Sequence, residues 1–520
     1  MRWTFHSPPP QVRVINMFTR PYDNAVATAR TCYAPRVIYP EDVAAKPHVR
    51  DRIAHTIYTA GHHTTLQHAH IQFVLEGVSR HFIWSFLHSH PFYNSEQVSQ
   101  RYVRVAADNI VVPPLRGEAL SEYRAVVTYQ MQAYEQLSEM LIPVVERFYF
   151  ARFPAHRKGD SVSPLARRWI PRRAQEVARY VLPVATTAHL YHTVSLLTLL
   201  RYHRLCAQYD VPTETQAVVK AMVEAVLALD PQLTKILEDP LPLEETLEYR
   251  FWQEAHQHPG WSKAYREEFD ASLEGYTSRL VSYKPDNEAL LAQAVREVLG
   301  VPRAALSDEE AIALVLDPAR NPYLGEALNL TTLSKLTRTL HHPSYTFRKK
   351  LSHTADSQDQ RHRMTPGSRP MLTAYLTEEP DVVVPRLLHY HSEARALFDT
   401  VMERTWTGIQ RLRAMGVPDE YVAYLLPNAV AIRFTESADL LALHHKLRMR
   451  LCYNAQEEIF YASRDEALQV AEVNPTIGKY LGAPCTLRYM AGRRPYCPEG
   501  ERYCGVRVWL LDIEEYERVI

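Results

Sequence analysis

Glycine is scarce in this 520-residue chain, which contains 16 glycines, whereas proline is common, at 35 residues. Because proline restricts the backbone and glycine frees it, this composition favours stiff connections over flexible linkers. Cysteine is also rare, and six residues in a chain of this length do not make a disulfide scaffold. The charges balance, with 59 Lys and Arg against 59 Asp and Glu, so no overall field favours a polyanion such as nucleic acid. A local basic pocket for one phosphate is compatible with that balance.

Long apolar runs are missing as well. No window approaches the roughly 18 uncharged apolar residues of a membrane span, and the first residues, MRWTFHSPPPQVRV, have no apolar core of signal-peptide length. We therefore expect a cytoplasmic protein without a membrane partner. Hydrophobic residues make up 46% of the chain, enough for sizeable cores, and the length predicts roughly two to four domains.

Amphipathic periodicity is the main feature that is present. Apolar residues recur at helical spacing over four long stretches, at 122–150, 187–208, 213–230 and 395–416. Alternation of apolar and polar residues predicts short strands at 68–78 and 108–114. The predicted fold class is therefore α+β, rich in helix.

Three short sequences recur in the same order at a similar separation. The pairs are Arg-Leu-Cys at 204–206 and 450–452, Arg-Thr-Cys-Tyr at 30–33 with Leu-Val-Ser-Tyr at 280–283, and Ser-Gln-Arg-Tyr-Val at 99–103 with Asp-Gln-Arg-His-Arg at 359–363. Each Arg-Leu-Cys ends a predicted amphipathic helix that begins after Leu-Pro. The coincidences predict a diverged tandem duplication, and chance similarity of short peptides is the alternative.

The duplication predicts two related repeats, each a small mixed sheet packed with long amphipathic helices. We expect the first repeat to span 1–240 and the second, more diverged repeat to span 246–520, with a cysteine-containing C-terminal tail. The proline- and acid-rich segment 238–245 is the best candidate for the linker between them.

The segment Ser-Glu-Gln-Val-Ser-Gln-Arg-Tyr, residues 95–102, carries the first candidate site. Ser99 and Arg101 are two residues apart, so on a strand both would face one side, with Glu96 nearby. A hydroxyl and a guanidinium on one face suit a phosphate. The alternative is the solvated end of a strand.

A second candidate lies in His-His-Lys-Leu-Arg-Met-Arg-Leu-Cys-Tyr-Asn-Ala-Gln-Glu-Glu-Ile, residues 444–459. Arg448 and Arg450 cannot both face inward on one helix, because residues two apart lie on different sides. A buried arginine among leucines needs an anionic or carbonyl partner. A structural ion pair with Glu457 or Glu458 is the alternative to a ligand.

These segments together resemble the flavin-dependent thymidylate synthases, most strongly over 20–104 and 421–462. The family signature is Arg-His-Arg, seven residues, then Ser-x-Arg-Tyr, followed downstream by Arg-x4-Ala-Gln-x-Glu-Ile. The matching residues are Ser99, Arg101 and Tyr102 for the first part, and Arg450, Ala455, Gln456, Glu458 and Ile459 for the second. The resemblance implies reductive methylation of dUMP to dTMP with methylenetetrahydrofolate and FAD, and NADPH as the reductant of the flavin.

The resemblance also implies roles for individual residues. Ser99 and Arg101 hold dUMP and Arg450 grips its pyrimidine end, so these three form the predicted catalytic group, and no enzyme nucleophile is needed because the cofactors carry the chemistry. The wider sets implied are Glu96, Ser99, Arg101, Tyr102, Arg450 and Gln456 for the substrate, and His68, His88, His90 and Asn94 for the cofactor. His68 takes the place of the histidine in the family's Glu-His-x-x-Phe, with Gln67 for the glutamate.

The chain departs from the family where Arg-His-Arg is expected. It has Leu87-His88-Ser89 or His88-Ser89-His90 there, without an arginine. His88 and His90 are one possible replacement, helped by Arg80, Arg104, Lys349 and Lys350. Because imidazoles gain charge as the pH falls, this hypothesis predicts flavin affinity that rises between pH 8 and pH 6. The alternative is a non-catalytic nucleotide-binding or scaffold protein that kept the fold and lost flavin.

The two half-signatures survive in different repeats, since the first keeps Ser-x-Arg-Tyr and the second keeps Arg-x4-Ala-Gln. We therefore predict one composite site that brings Ser99 and Arg101 to the same ligand as Arg450. Family members are tetramers, so two repeats per chain predict a homodimer, in contact through the predicted helices 187–208 and 434–452.

Cysteine and histidine give no strong metal signal. Cys452, Cys485, Cys497 and Cys504 could bind zinc, but their spacing lacks the close Cys-x2-Cys pair, so unpaired or packed thiols are favoured. The 24 histidines include no His-Glu-x-x-His frame, and no metal site is predicted.

Overall fold

The computed structural model describes residues 3–207, 210–255, 261–518 and 520. It confirms the α+β class, with long helices around two four-stranded antiparallel sheets and one short hairpin. Within the described residues no helix is long and apolar enough to cross a membrane.

The elements of the first repeat precede residue 240. In chain order they are β1 Gln11–Met17, α1 Pro21–Thr31, α2 Pro40–Ala44, α3 Pro47–Thr59, β2 His70–Ser79, α4 Arg80–His88, β3 Tyr93–Gln97, α5 Gly117–Met140, α6 Ile142–Arg152, β4 Arg157–Lys158, β5 Ser161–Val162, α7 Pro164–Ala178, β6 Thr187–Ser195, α8 Leu196–Arg204 and α9 Pro212–Leu227.

The second repeat has the same plan with changed lengths. Its elements are α10 Leu247–Ala255, α11 Trp261–Ser272, β7 Ser278–Tyr283, α12 Asn287–Leu299, α13 Asp308–Leu316, β8 Ser344–Ser352, α14 His353–Asp359, β9 Gly367–Ser368, α15 Ser392–Ala414, α16 Asp419–Val422, β10 Ala431–Asp439, α17 Leu440–Arg450, α18 Glu457–Val473, α19 Pro475–Gly478 and α20 Pro484–Met490.

The sheets have equivalent strand orders, β1-β2-β6-β3 and β7-β8-β10-β9. In each sheet both central strands lead directly into a helix, and the last strand residue caps that helix. Ser79, Ser195, Ser352 and Asp439 accept a hydrogen bond from the backbone N–H three residues on. A serine or aspartate cap turns the chain from extended to helical conformation within one residue.

These caps explain the main errors of the helix prediction. The stretches 187–208 and 434–452 are wrong as single helices, because each begins as a strand and becomes helical only after Ser195 or Asp439. Leu-Pro therefore opens a strand in each repeat, not a helix. The strand predicted at 108–114 is wrong too, since only Ile110 forms an isolated bridge there.

The remaining predicted elements are confirmed. The strand at 68–78 is β2, and the helices at 213–230 and 395–416 are α9 and α15. The stretch 122–150 is helical but divided at Leu141 into α5 and α6.

The two repeats have equivalent sheets, make reciprocal contacts with each other and share one hydrophobic core. Ser79 donates from N and Oγ to Glu214, at 2.7 and 2.6 Å, and Tyr424 of the other repeat donates to the same carboxyl at 2.6 Å. Ser352 binds Glu458 in the same way, and Tyr180 of the first repeat completes that set.

The repeats also exchange backbone hydrogen bonds, from Val184 to Leu426 and from Asn428 to Leu182. Pro183 and Pro427 form an antiparallel bridge. Helices α5 and α15 also pack side by side, and they approach so closely at Gly408 that a Cβ there would lie 2.4 Å from Val126. Each repeat therefore completes the core of the other, as partners do in an isologous dimer.

Two of the three recurring peptide pairs are wrong as structural equivalents. Residues 30–33 span the end of α1, whereas 280–283 lie in β7, whose counterpart is β1. Residues 99–103 follow β3, whereas 359–363 precede β9. The Arg-Leu-Cys pair does mark equivalent places, the ends of α8 and α17.

Candidate active site between the repeats

Ser99 and Arg101 lie in a turn after β3, so the prediction that they share one face of a strand is wrong. The Ser99 Oγ accepts from the backbone N–H of Arg101 at 3.2 Å, which closes the turn. Nη2 of Arg101 donates to Glu176 at 3.1 Å and to the backbone carbonyl of Asn454 in the second repeat at 2.8 Å.

Arg450 ends α17 and is also bound inside the protein. Its Nε donates to Nε2 of His362 at 2.8 Å, and its Nη2 donates to the carbonyl of Gln358 at 2.7 Å. The expectation of a carbonyl partner is confirmed, and the alternative pairing partners are engaged elsewhere, Glu458 with Ser352 and Glu457 with the backbone N–H of Arg386.

The structure brings Arg101 and Arg450 to the same side of the molecule within one chain. Burial lowers the pKa of Arg450 to about 10, and the charges of Arg101 and Arg361 act in the same direction. Burial also holds the pKa of His362 well below its usual value, so its ring is neutral and can accept from Arg450.

The Arg-His-Arg that is missing before Ser99 stands in the second repeat, as Arg361-His362-Arg363. Arg361 forms an ion pair with Glu96, and Arg363 donates to the Asn94 side chain at 2.9 Å. The second repeat thus supplies to β3 the two arginines that the first repeat lacks, while His362 contacts Arg450. These three residues are adjacent in the sequence, but their contact with β3 depends on how the two repeats pack and is not indicated by their distance from Ser99 along the chain.

A buried arginine cluster surrounds Glu176 beside this segment. The carboxylate lies 3.1 Å from Arg101, 2.9 Å from Arg173 and 3.8 Å from Arg518 of the C-terminal tail. Burial alone would raise the pKa of Glu176, but the four guanidiniums of Arg101, Arg173, Arg518 and Arg179 hold it far below its usual range.

The cluster carries more positive than negative charge. Within the described residues, Nε of Arg101 and Nη2 of Arg179 are buried without a hydrogen-bond partner. Burial raises the pKa of Glu457 to about 7, so this neighbouring carboxyl gives only partial compensation at neutral pH. Buried guanidinium N–H groups without acceptors are costly, and an anionic ligand would satisfy them.

Tyr102 and Gln456 lie at the edges of this region. The ring of Tyr102 is half-exposed and lies under the guanidiniums of Arg101 and Arg172. Gln456 caps α18, accepting from the N–H of Ile459 at 3.2 Å, and donates to the Tyr180 hydroxyl at 2.6 Å. In this arrangement Gln456 positions the helix.

His88 and His90, two of the histidines predicted for the cofactor, line one cavity together, away from His68. His88 is buried beside Trp84, and His90 hydrogen-bonds the Tyr202 hydroxyl at 2.6 Å. Burial lowers the pKa of His88 to about 3 and that of His90 to about 4. Both rings are neutral between pH 6 and pH 8, so the expectation that they gain charge in this range is wrong.

The two lysines expected to help are engaged as well. Lys349 is buried among Asp359, Glu436 and Glu466 at 2.7 to 3.2 Å. Lys350 pairs with Asp270 at 2.7 Å. Neither lysine remains to bind a flavin phosphate.

A cleft of about 390 Å³ opens beside β3. Asn94 and Arg363 line it, together with Gln67, His70 and Arg201. His68 is exposed and does not line this cleft. His70, in contrast, precedes Phe73 at the spacing of the family's His-x-x-Phe, and it is the candidate that sequence reasoning missed.

The four cysteines of the second repeat are free thiols. Within the described ranges, no group of three or more His, Cys, Asp or Glu side chains is arranged to hold a metal ion.

The fold and this site define the class of the protein. It is an α+β protein of two related repeats, with an arginine-rich site assembled from both. The model of the family described as thymidylate synthase complementing protein matches residues 13–232 and 279–476, and the chain belongs to that family. The resemblance to flavin-dependent thymidylate synthases is thereby confirmed, and the two matched segments are consistent with a tandem duplication.

Relatives that carry the name flavin-dependent thymidylate synthase match this chain at low identity. The flavin-dependent thymidylate synthase of Geobacter sulfurreducens is 28% identical over 230 residues, which are 44% of this chain and 92% of the relative. That of Nitratidesulfovibrio vulgaris is 30% identical over 177 residues, 32% of this chain and 69% of the relative. A structure of the UMP/dUMP methylase PolB from Streptomyces cacaoi covers 44% of this chain and 95% of its own at 17% identity, with a TM-score of 0.30, too low to bear on function.

Proposed function

We propose that the chain is a flavin-dependent thymidylate synthase that methylates dUMP to dTMP, with methylenetetrahydrofolate as carbon donor, at the composite site between the repeats. The carrying observation is the arginine-rich cluster at Ser99 and Arg101, which contacts Asn454 of the Arg450 segment.

The nucleotide phosphate is the natural anion for this cluster. The Ser99 hydroxyl and the buried N–H groups of Arg101 provide donors, and Glu176 fixes the plane of the Arg101 guanidinium. Arg450, held by neutral His362, is rigid enough to orient the pyrimidine ring. Each such charge-assisted bond is worth about 1.5–3 kcal/mol.

The cleft beside β3 fits a flavin. Arg363 and Arg201 supply permanent charge for its phosphates, and Asn94 and Gln67 supply neutral hydrogen-bonding groups. A bound flavin supplies the hydride of the reaction. The protein then has to bind the nucleotide next to the cleft, orient its pyrimidine and exclude water. That the flavin is FAD, and that NADPH reduces it, rests on the family resemblance.

The test is turnover with paired variants. The purified protein, supplied with FAD, NADPH, methylenetetrahydrofolate and dUMP, is expected to form dTMP, detected by mass spectrometry. Arg101→Ala should lower kcat/KM roughly 10- to 150-fold or more, since it removes at least one charge-assisted bond. The matched control is Arg448→Ala, because Arg448 lies on the same helix as Arg450 but donates to the carbonyls of Leu324 and Glu326.

The rival is a non-catalytic nucleotide-binding or scaffold protein. One observation favours it: Arg101 already has the carboxylate of Glu176 as a partner. Binding of dUMP without dTMP formation, together with no flavin retained on purification, would support that rival and overturn the enzyme.

The proposal extends to organisation and location. We expect the repeats to be bounded at 1–240 and 246–520, the protein to be cytoplasmic, and the chain to form a homodimer that replaces the family tetramer. Light scattering that gives the mass of a single chain would overturn the dimer.

A further inference from the structure

A further cavity, open to solvent on one side, lies at the place that corresponds to the composite site when the two repeats are exchanged. The composite site combines the ends of α14 and α17 with the turn after β3. When the two repeats are exchanged, the corresponding elements are the ends of α4 and α8 and the segment after β9. A cavity of about 380 Å³ lies between them. This volume lies within the roughly 300–1,000 Å³ of small-molecule pockets.

The mirror cavity has two histidines at the positions where the composite site has Arg361 and Arg363. His88 and His90 follow the capping Ser79 by the same numbers of residues as Arg361 and Arg363 follow the capping Ser352. Both histidines are neutral because burial lowers the pKa of each ring. With neutral histidines in place of these two arginines, the cavity lacks the guanidinium groups that would bind a phosphate there.

The other charges of the cavity also disfavour a phosphate. Asp210 and Glu248 place carboxyl groups in its wall, where they would repel an anion. The guanidinium of Arg369 is taken by Asp356, with hydrogen bonds of 3.0 to 3.4 Å. Arg201 is exposed over the ring of Phe92, where this cavity adjoins the cleft beside β3, and it is the same arginine that we assign to the flavin phosphates in that cleft.

Two buried polar side chains of the cavity nevertheless have atoms without a hydrogen bond among the described residues. Asp210 is 4% exposed, and its Oδ2 accepts from the backbone N–H of Leu372 at 2.6 Å, while Oδ1 has no hydrogen bond within the described residues. The His88 ring is 5% exposed; neither ring nitrogen is hydrogen-bonded in the described chain, and Asp356 lies 3.5 Å from Nε2. A buried acceptor and a buried neutral imidazole left unpaired cost free energy, which a complementary ligand recovers.

We propose that this cavity binds a phosphate-free pyrimidine nucleoside. The imide edge of a uracil or thymine ring offers one N–H between two carbonyls. Its N–H donates to Oδ1 of Asp210, and a carbonyl accepts from the ring N–H of His88. Trp84 and Tyr202, both buried, provide the aromatic walls for a planar base.

The test is calorimetric titration of the full chain with thymidine, deoxyuridine and dTMP. One thymidine should bind per chain, and dTMP should bind at this site at least 10-fold more weakly. Asp210→Asn keeps an oxygen that accepts from Leu372, but it places an N–H donor opposite the N–H of the base. It should therefore weaken thymidine binding at least 10-fold. Ser85→Phe fills the cavity from its wall and should abolish binding.

Arg101→Ala is the control at the composite site and should leave thymidine affinity unchanged. Hydrogen–deuterium exchange needs no variant: thymidine should protect 84–92 and 369–372. The inference is overturned if thymidine does not bind the folded protein, if Arg101→Ala removes its binding, if protection appears only at 99–104 and 450–456, or if dTMP competes with equal affinity. It does not depend on turnover, because titration with dUMP reports the composite site separately.

Discussion

Arg101 of the first repeat donates from Nη2 to the backbone carbonyl of Asn454 in the second repeat, at 2.8 Å. This bond joins the two surviving half-signatures, since Asn454 lies between Arg450 and Gln456. Because one partner in this hydrogen bond is a backbone carbonyl, the bond holds the Arg101 segment close to the Asn454 segment more tightly than a bond between two side chains would. One chain can thus assemble a site for which each repeat alone has only half of the residues.

The carboxylate of Glu176 should limit the affinity of that site for anions. Glu176→Gln removes the buried negative charge and leaves four guanidiniums unbalanced, so stability should fall by about 3 kcal/mol. The same change should increase the stabilisation that dUMP provides, because its phosphate then replaces the lost charge. Thermal melting with and without dUMP measures both effects, and a ligand-induced shift that is smaller than in the parent protein would contradict the phosphate assignment.

Flavin affinity should depend on Arg361 and Arg363 and be insensitive to pH. Arg363 lines the cleft and Arg361 pairs with Glu96 of β3, so each Arg→Ala change removes a permanent charge at or near the cleft. Each should weaken FAD binding roughly 10- to 150-fold, as measured by flavin fluorescence. His90→Ala is the matched control, because His90 is neutral and bonded to Tyr202, so affinity should change less than threefold. Affinity that rises steeply from pH 8 to pH 6 would restore the histidine hypothesis.

The sequence predicted the class, the repeat plan and the half-signatures, because these depend on periodicity and local spacing. It did not distinguish strand from helix at 187–195, where apolar residues fit both periods and the capping Ser195 decides. It also did not show that Arg361-His362-Arg363 meets Asn94 and Glu96, because that contact depends on how the two repeats pack.

Burial caused the remaining errors. His88, His90 and Lys349 were expected to be available cations, and nothing in their neighbours along the chain indicates otherwise. In the fold the histidines are desolvated and Lys349 is surrounded by three carboxylates. Whether a side chain is charged, and whether that charge is free to bind a ligand, depends on its three-dimensional surroundings, which a single sequence does not specify.

Stability should fall as the pH rises from about 4.5 to about 7, through Glu457. Burial raises the folded-state pKa of this carboxyl from 4.5 to about 7, so folding favours its protonated form. That contribution is complete below the unfolded pKa and is lost as the pH rises through the folded value, about 3 kcal/mol in total. Urea unfolding at pH 5 and pH 7.5 should give a smaller pH difference for Glu457→Gln than for the parent, and equal differences would contradict the assignment.

Tyr180→Phe and Tyr424→Phe should have matched effects on stability but not on ligand binding. Each hydroxyl crosses between the repeats to a buried glutamate, Tyr180 to Glu458 and Tyr424 to Glu214, so losing either should cost about 1–3 kcal/mol in urea unfolding. Only Tyr180 also accepts from Gln456, which caps α18 in the Arg-x4-Ala-Gln segment. Tyr180→Phe should therefore also lower the affinity for dUMP, whereas Tyr424→Phe should leave the affinity for dUMP unchanged. Equal losses of dUMP affinity would mean that the composite site and the mirror cavity are coupled and that dUMP binding is not confined to the composite site.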